Sequence, residues 1–117
     1  MNANRFFRSF KYAAEGVRSA LVKEQNVRFH FLSAIIVVIA AFFTGLSYIE
    51  WVVVIGLIGG MIALEMVNSA LERVVDLVTG EFHPLAKQAK DIAAGAVLVF
   101  ALASAIIGLL IFMPKWF

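Results

Sequence analysis

The sequence predicts an all-α integral membrane protein, and three observations carry that prediction. Of its 117 residues, 62% are hydrophobic and only 15% are charged, so a soluble domain of this size would expose too much apolar surface. Three apolar runs reach or approach the length of about 20 residues that a membrane helix needs. Most of the Lys and Arg residues precede the first of these runs. The chain has no cysteine, which excludes disulfides and thiol chemistry.

Residues 1–27 predict an amphipathic surface helix. Phe6, Phe10, Val17 and Leu21 fall on one helical face, and the basic side chains lie largely away from it. A basic amphipathic helix of this kind lies on an anionic membrane surface. The charged stretch is too long for a cleaved signal peptide, so we expect the helix to remain part of the protein.

Three membrane helices are predicted, over 28–47, 50–78 and 90–113. The first and third contain charge-free runs of sufficient length. The second is strongly apolar only as far as Leu64, but its helical periodicity continues, and at ~1.5 Å per residue it should protrude from the bilayer. No linker or repeat separates these segments, which predicts a single domain over 1–117.

The loops predict the orientation in the cell membrane. The loop GLSYIE, between the first two spans, has no Lys or Arg, whereas the loop TGEFHPLAKQAK contains Lys87 and Lys90. Because cytoplasmic loops carry the excess of positive charge, the N-terminus and the second loop are expected in the cytoplasm and the C-terminus outside.

The segment EMVNSALERVVD places a polar stripe on the second span. Glu65, Asn68, Glu72 and Asp76 are spaced by three, four and four residues and share one helical face. A solvated face is the alternative interpretation, but an ionisable group at the depth of Glu65 is costly and indicates function. Acidic side chains this close repel one another unless a cation lies among them, and carboxylate oxygens suit Mg²⁺.

The second loop supplies the opposite charge. In one interpretation, a lysine here binds a phosphate group and Asp91 positions a hydrogen-bond donor or a metal-bound water. The equally favoured alternative is a salt bridge between Lys87 and Asp91. His83 and Glu24, each taken alone, are more typical of surface residues. No P-loop motif is present. The residues alone therefore leave open a kinase of a lipid alcohol and a small ion-coupled transporter that uses Glu65 as a proton relay.

The combined motif resembles the prokaryotic diacylglycerol kinase family. The pattern E-x-x-N-[ST]-A-[IL]-E-x-x-V-D over 65–76 is followed by H-x-L-A-K-x-A-K-D over 83–91. The stretches RFFRSFKYAAEGV, FHPLAKQAKD and FMPK resemble the Gram-positive branch, whose members act as undecaprenol kinases. The resemblance implies a homotrimer with active sites shared between subunits, and the use of ATP with Mg²⁺. It favours the conversion of undecaprenol to undecaprenyl phosphate, with diacylglycerol as the alternative substrate.

The resemblance also implies roles for individual residues, carried over by matching position. Glu65 would be the general base, and Glu24 and Glu72 would bind the metal. The implied nucleotide-binding residues are Arg5, Tyr12, Glu24, Asn68, Glu72, Asp76, Glu81, Phe82, His83, Lys90 and Asp91. His30 stands where some Gram-negative relatives have an acidic residue. An apolar groove beside Glu65 is expected to accept the acyl or prenyl chain.

Overall fold

The computed structural model describes residues 2–117, so that Met1 lies outside the described residues. It consists of four helices: α1 (Ala3–Lys23), α2 (Gln25–Thr44), α3 (Tyr48–Val78) and α4 (Pro84–Trp116). The helices α2, α3 and α4 are each long and apolar enough to cross a membrane. The predictions of an all-α chain and of three spans are confirmed.

A single extended residue separates α1 from α2. Glu24 has φ −111° and ψ 112°, so it ends the first helix and begins the second. The Arg28 guanidinium donates hydrogen bonds to the carbonyl oxygens of Leu21 (2.9 Å) and Val22 (2.8 Å), which the end of α1 leaves without helical partners. The first span therefore begins at Gln25, three residues before the predicted boundary, and the surface helix ends correspondingly early.

The two longest helices extend beyond the thickness of a bilayer. α3 has 31 residues and α4 has 33, so at ~1.5 Å per residue each exceeds the ~30 Å hydrocarbon core. α4 begins at Pro84, six residues before the predicted boundary at 90. Proline suits the first position of a helix, and the His83 imidazole accepts a hydrogen bond from the Leu85 backbone N–H (3.1 Å). The helix also continues past position 113 to Trp116, with Pro114 inside its last turn.

α3 packs mainly against α4, and Gly60 permits the close contact between them. A Cβ atom at Gly60 would come within 2.6 Å of the Phe100 ring, so a larger residue there would displace that ring. At Gly108, by contrast, a Cβ atom would meet no atom within 4 Å. Glycine therefore brings these helices together at one point and leaves open space at another.

Polar contacts tie together the ends of the three spans that lie far from α1. The Trp116 indole donates a hydrogen bond to the Thr44 hydroxyl (2.8 Å), and Lys115 forms an ion pair with Glu50 (3.0 Å). Ser47 and Glu50 also form a capping box at the start of α3. The opposite end of the bundle carries α1, the second half of α3 and the loop over 79–83. The polar stripe runs toward that opposite end.

Most apolar side chains of the spans face outward. The chain measures only 25 Å in its thinnest dimension, and α4 buries none of its residues within the chain. Large apolar side chains are exposed along all three spans, among them Phe43, Ile55 and Leu110. Such surfaces require lipid or further protein to cover them, because water would not tolerate so much exposed hydrocarbon.

Candidate active site

The polar stripe is buried at its membrane end. Glu65, Asn68 and Ser69 are 3%, 7% and 5% exposed, and they are the buried polar side chains within residues 2–117. They lie within about one turn of α3, directly after the apolar half of that helix. Burial of a carboxyl group is costly unless another group compensates it, so this turn is the strongest candidate for chemistry.

His30 is the group that approaches Glu65 from another helix. The His30 Nε2 atom on α2 lies 3.6 Å from the Glu65 Oε2 atom on α3, slightly beyond hydrogen-bond distance. The Asn68 Oδ1 atom is shielded from solvent and has no hydrogen-bond partner in the described part of the chain. It can therefore accept a hydrogen bond from a bound group. The sequence singled out Glu65 and Asn68, but it did not pair Glu65 with His30.

An apolar cavity begins at His30 and extends along the spans toward the far side. Its volume is about 320 Å³, and it lies between α2, α3 and α4. Its walls are apolar except for His30, Ser33 and Ser104, and the Ser104 hydroxyl has no partner among the described residues. The groove that the sequence predicted beside Glu65 thus has a counterpart in the structure, and His30 lies at its junction with Glu65.

A second cavity, of about 310 Å³, surrounds the loop between α3 and α4. It brings together six of the residues that the sequence assigned to the nucleotide: Asp76, Glu81, Phe82, His83, Lys90 and Asp91. Short turns order the loop, since the Thr79 hydroxyl both accepts a hydrogen bond from the Glu81 N–H and donates one to the Glu81 carbonyl oxygen. Residues from the end of α3, the loop and the first turns of α4 therefore line one polar site.

Both lysines of this second cavity form ion pairs. Lys87 contacts Asp91 at 2.5 Å, which is the salt bridge that the sequence allowed as an alternative. Lys90 instead reaches across to Asp76 on α3, at 2.6 Å. Because Lys90 joins two helices and points into the loop site, it is the better placed of the two to exchange its carboxylate partner for an anionic ligand.

Glu24 is held by a residue that the sequence analysis missed. Its carboxylate accepts a hydrogen bond from the Arg73 guanidinium at 2.7 Å, which fixes the α1–α2 junction against α3. Arg73 follows Glu72 directly, so the contact brings Glu24 to the part of α3 that carries the other predicted metal ligand. Arg73 lies in the segment EMVNSALERVVD, but the sequence did not reveal its partner, which lies 49 residues away.

The carboxylates suit Mg²⁺ by their chemistry, although one chain does not gather a full ligand set. Within residues 2–117, no three His, Asp or Glu side chains are arranged to hold a metal ion. Mg²⁺ is typically bound by one or two carboxylates together with water and phosphate oxygens. Glu24 and Glu72, both half-buried, provide two such carboxylates.

Two of the predicted nucleotide-binding residues lie apart from the second cavity. Arg5 and Tyr12 are exposed on α1 and do not line it. α1 packs against α2 and more lightly against α3. The structure therefore gathers the loop residues, places Glu65 beside an apolar cavity, and leaves these two α1 residues on a free helix surface.

Comparison with known proteins accounts for this combination of sites. The sequence model of prokaryotic diacylglycerol kinase matches residues 11–112. The chain belongs to that family. An undecaprenol kinase from Bacillus subtilis is 54% identical over 112 residues, covering 96% of this chain and 91% of that protein. A diacylglycerol kinase from Synechocystis is 44% identical over 91% of this chain and 61% of that protein, and one from Escherichia coli is 30% identical over 81% and 78%.

Family membership makes the chain a membrane enzyme of the lipid kinase class, which uses ATP. The two cavities fit that class in different ways. One is apolar, lies within the membrane-spanning part and is lined by His30, the neighbour of Glu65, whereas the other is polar and lies at the loop. A lipid kinase needs both environments, because its two substrates come from the bilayer and from water.

Proposed function

We propose that this protein phosphorylates undecaprenol to undecaprenyl phosphate, with ATP as the phosphoryl donor and Mg²⁺ as the metal. The 54% identity to an undecaprenol kinase, over nearly the whole of both chains, supports the choice of lipid. The observation that carries the chemistry is the burial of Glu65 at the junction of the membrane-spanning part and the polar stripe. A carboxylate at this junction would lie level with the hydroxyl group of a lipid alcohol in the bilayer.

Glu65 would accept the proton of the lipid hydroxyl as the hydroxyl oxygen attacks the γ-phosphorus of ATP, and ADP would leave as the bond between it and that phosphorus breaks. MgATP, when bound, supplies the phosphoryl group and the cation that neutralises its charge. Glu24 and Glu72 would hold the metal. To do so, the Glu24 carboxylate would release the Arg73 guanidinium and bind the metal instead. Lys90, Asp91 and the loop over 81–83 would hold the nucleotide, with Arg5 and Tyr12 closing on it from α1. Asn68 would position a bound group through its unpaired Oδ1 atom.

The assembly we propose is a homotrimer with active sites shared between neighbouring subunits. The outward-facing apolar surfaces of all three spans support an oligomer, because neighbouring copies would cover part of them. We place α1 on the cytoplasmic membrane surface, with the loop over 79–83 on the same side and the C-terminus outside. The distribution of Lys and Arg among the loops supports this orientation.

Diacylglycerol is the second candidate substrate, since the Synechocystis and Escherichia coli relatives are diacylglycerol kinases. The deciding measurement compares the two lipids side by side, with purified protein in detergent micelles, MgATP and matched mole fractions of lipid. We expect kcat/KM to be higher for undecaprenol, with one ADP formed for each lipid phosphate. A preference for diacylglycerol would reverse the substrate assignment, and transport of an ion without nucleotide turnover would overturn the kinase itself.

Lys90→Ala is expected to weaken MgATP binding, because the phosphates lose a positive partner that faces the loop cavity. Lys87→Ala is the matched control, because that lysine is already paired with Asp91 on its own helix. We expect a rise of about tenfold in the KM for MgATP for Lys90→Ala, and a rise of less than about threefold for Lys87→Ala. Equal losses in the two variants would show that the phosphate contact is not specific to Lys90.

A further inference from the structure

We infer that His30 is a positioning residue for the phosphoryl transfer, which orients the Glu65 carboxylate by donating a hydrogen bond to one of its two oxygens. The inference rests on the proposed function and adds a residue to it. Within residues 2–117, the His30 imidazole is the side chain that lies within ion-pair distance of Glu65. The two side chains are 20% and 4% exposed, so the rest of the chain largely shields both from solvent.

The packing of α2 against α3 holds His30 beside Glu65. Val27, one turn before His30 on the same face of α2, is fully buried. At the N-terminal end of α2, Glu24 pairs with Arg73 at 2.7 Å. The two contacts between the helices lie in antiparallel register, because Glu24 precedes His30 whereas Arg73 follows Glu65. Two contacts and a buried valine along one seam therefore fix the rotation of α2 that brings the imidazole to Glu65.

Both side chains lie where the apolar parts of their helices begin. No ionisable side chain follows His30 within α2, and none lies between Glu50 and Glu65 on α3. Ionisable groups at such a depth are costly, and they typically face the interior of a bundle and pair with one another. Each of these two groups therefore supplies the polar partner that the surrounding apolar side chains cannot provide.

The contact leaves one oxygen of Glu65 free for the substrate. The His30 Nε2 atom lies 3.6 Å from Oε2, and catalytic hydrogen bonds of this length often shorten when substrates bind. With Oε2 held by the Nε2–H group, the lipid hydroxyl proton moves to Oε1 as the hydroxyl oxygen bonds to the γ-phosphorus and the bond from that phosphorus to ADP breaks. The imidazole keeps its proton, and Glu65 returns the transferred proton to water after the products leave. A base that a third group orients is the logic of a catalytic triad.

Substitutions of His30 are expected to change kcat rather than nucleotide affinity. In full-length protein in micelles, His30→Leu should lower kcat at saturating lipid and MgATP by roughly ten- to a hundredfold, because a hydrogen bond to a charged group is lost. The KM for MgATP should stay close to wild type, since His30 does not line the loop cavity. His30→Gln should recover most of kcat, because its amide nitrogen is as many bonds from Cβ as the imidazole Nε2 atom.

Two further variants separate this hydrogen bond from the packing of α2. His30→Asn carries the same amide one bond short of Oε2, so it should lose as much as His30→Leu, and it replaces that variant if leucine disturbs the oligomer. Phe29→Leu is the matched control, because it replaces an exposed ring by leucine in the same turn and should keep kcat near wild type. Equal losses in His30→Gln and His30→Leu, or in Phe29→Leu and His30→Leu, would overturn the inference.

The double variant His30→Leu/Glu65→Gln tests whether His30 acts through Glu65. Once the base is removed, the loss of His30 should cause no further fall in the residual kcat. Effects of independent residues would instead multiply, since their free energies add. A multiplied loss would show that His30 contributes to turnover in some other way, and it would contradict the positioning role.

An infrared measurement tests the same contact without turnover. The difference between the spectra of wild type and Glu65→Gln, each with lipid alcohol and a non-hydrolysable MgATP analogue, isolates the carboxylate bands of Glu65. These bands should shift in His30→Leu and remain in place in His30→Gln. Unshifted bands in His30→Leu, or an unchanged kcat in that variant, would overturn the role of His30 while leaving the kinase intact. Absence of lipid phosphorylation by the wild type would count against the proposed function itself.

Discussion

Glu65→Gln should abolish most of the turnover while leaving MgATP binding intact. Glutamine keeps the shape and hydrogen-bonding capacity of the side chain, but it cannot take the proton of the lipid hydroxyl. Removal of a general base typically lowers the rate about 10²- to 10⁴-fold. Glu65 is 3% exposed and lies beside the apolar cavity, some two turns of α3 from Glu72, so its loss should not alter the loop site. The measurement is kcat at saturating MgATP and lipid, together with nucleotide binding by calorimetry.

The control for this prediction is Glu50→Gln, the same chemical change on the same helix. Glu50 lies at the far end of α3, where it pairs with Lys115 and completes the capping box with Ser47. Glutamine also serves at that position of a capping box, so the helix should remain intact. Turnover in Glu50→Gln should stay near wild type. If Glu65→Gln were as active as this control, Glu65 would not be the base.

The membrane architecture was predictable because it depends on properties local to each segment. An apolar run of sufficient length must form a helix in lipid, since every backbone N–H and C=O group has to be satisfied within the segment. The continuation of α3 beyond Leu64 was also predictable, because the periodicity of its apolar residues does not change. The exact ends of the helices were less predictable. The start of α2 depends on Arg28, which satisfies the last carbonyl groups of α1.

The pairings between helices were not predictable from the pattern. Glu65 meets His30, and Glu24 meets Arg73, across 35 and 49 positions of sequence. Such contacts depend on how far each helix is rotated and tilted, which neighbouring helices determine and composition does not. The loop site was easier to predict, because Asp76, the loop over 79–83 and Lys90 are close in sequence and the helices on either side are antiparallel. The apolar cavity was predicted only as a groove, since its depth depends on the open space at Gly108.

Whether the two carboxylates that we propose to bind the metal belong to one subunit can be decided by mixing inactive variants. Glu24→Ala and Glu72→Ala should each be inactive, because each removes a carboxylate from the proposed Mg²⁺ site. In the isolated chain, the Glu24 carboxylate is engaged by Arg73. We expect neighbouring subunits to complete the site.

Mixing the two variants tests this arrangement. If each site takes one acid from each of two adjacent subunits, about a quarter of the sites in random trimers of the two variants contain both acids. The measurement is kinase activity after the variants are unfolded together, mixed equally and refolded into micelles.

The matched control mixes wild type with the double variant Glu24→Ala/Glu72→Ala in equal amounts. With shared sites, only pairs of adjacent wild-type subunits are active, so about a quarter of the sites should function. With both acids in one subunit, every wild-type subunit keeps its own site, and about half should function. The two mixtures therefore give equal activities if the sites are shared. If each subunit holds its own site, the first mixture is inactive and the second keeps half the activity. That second result, in trimers verified by light scattering, would place Glu24 and Glu72 in a metal site formed within one chain. The ion pair between Glu24 and Arg73 would then be the state of that site before the metal binds.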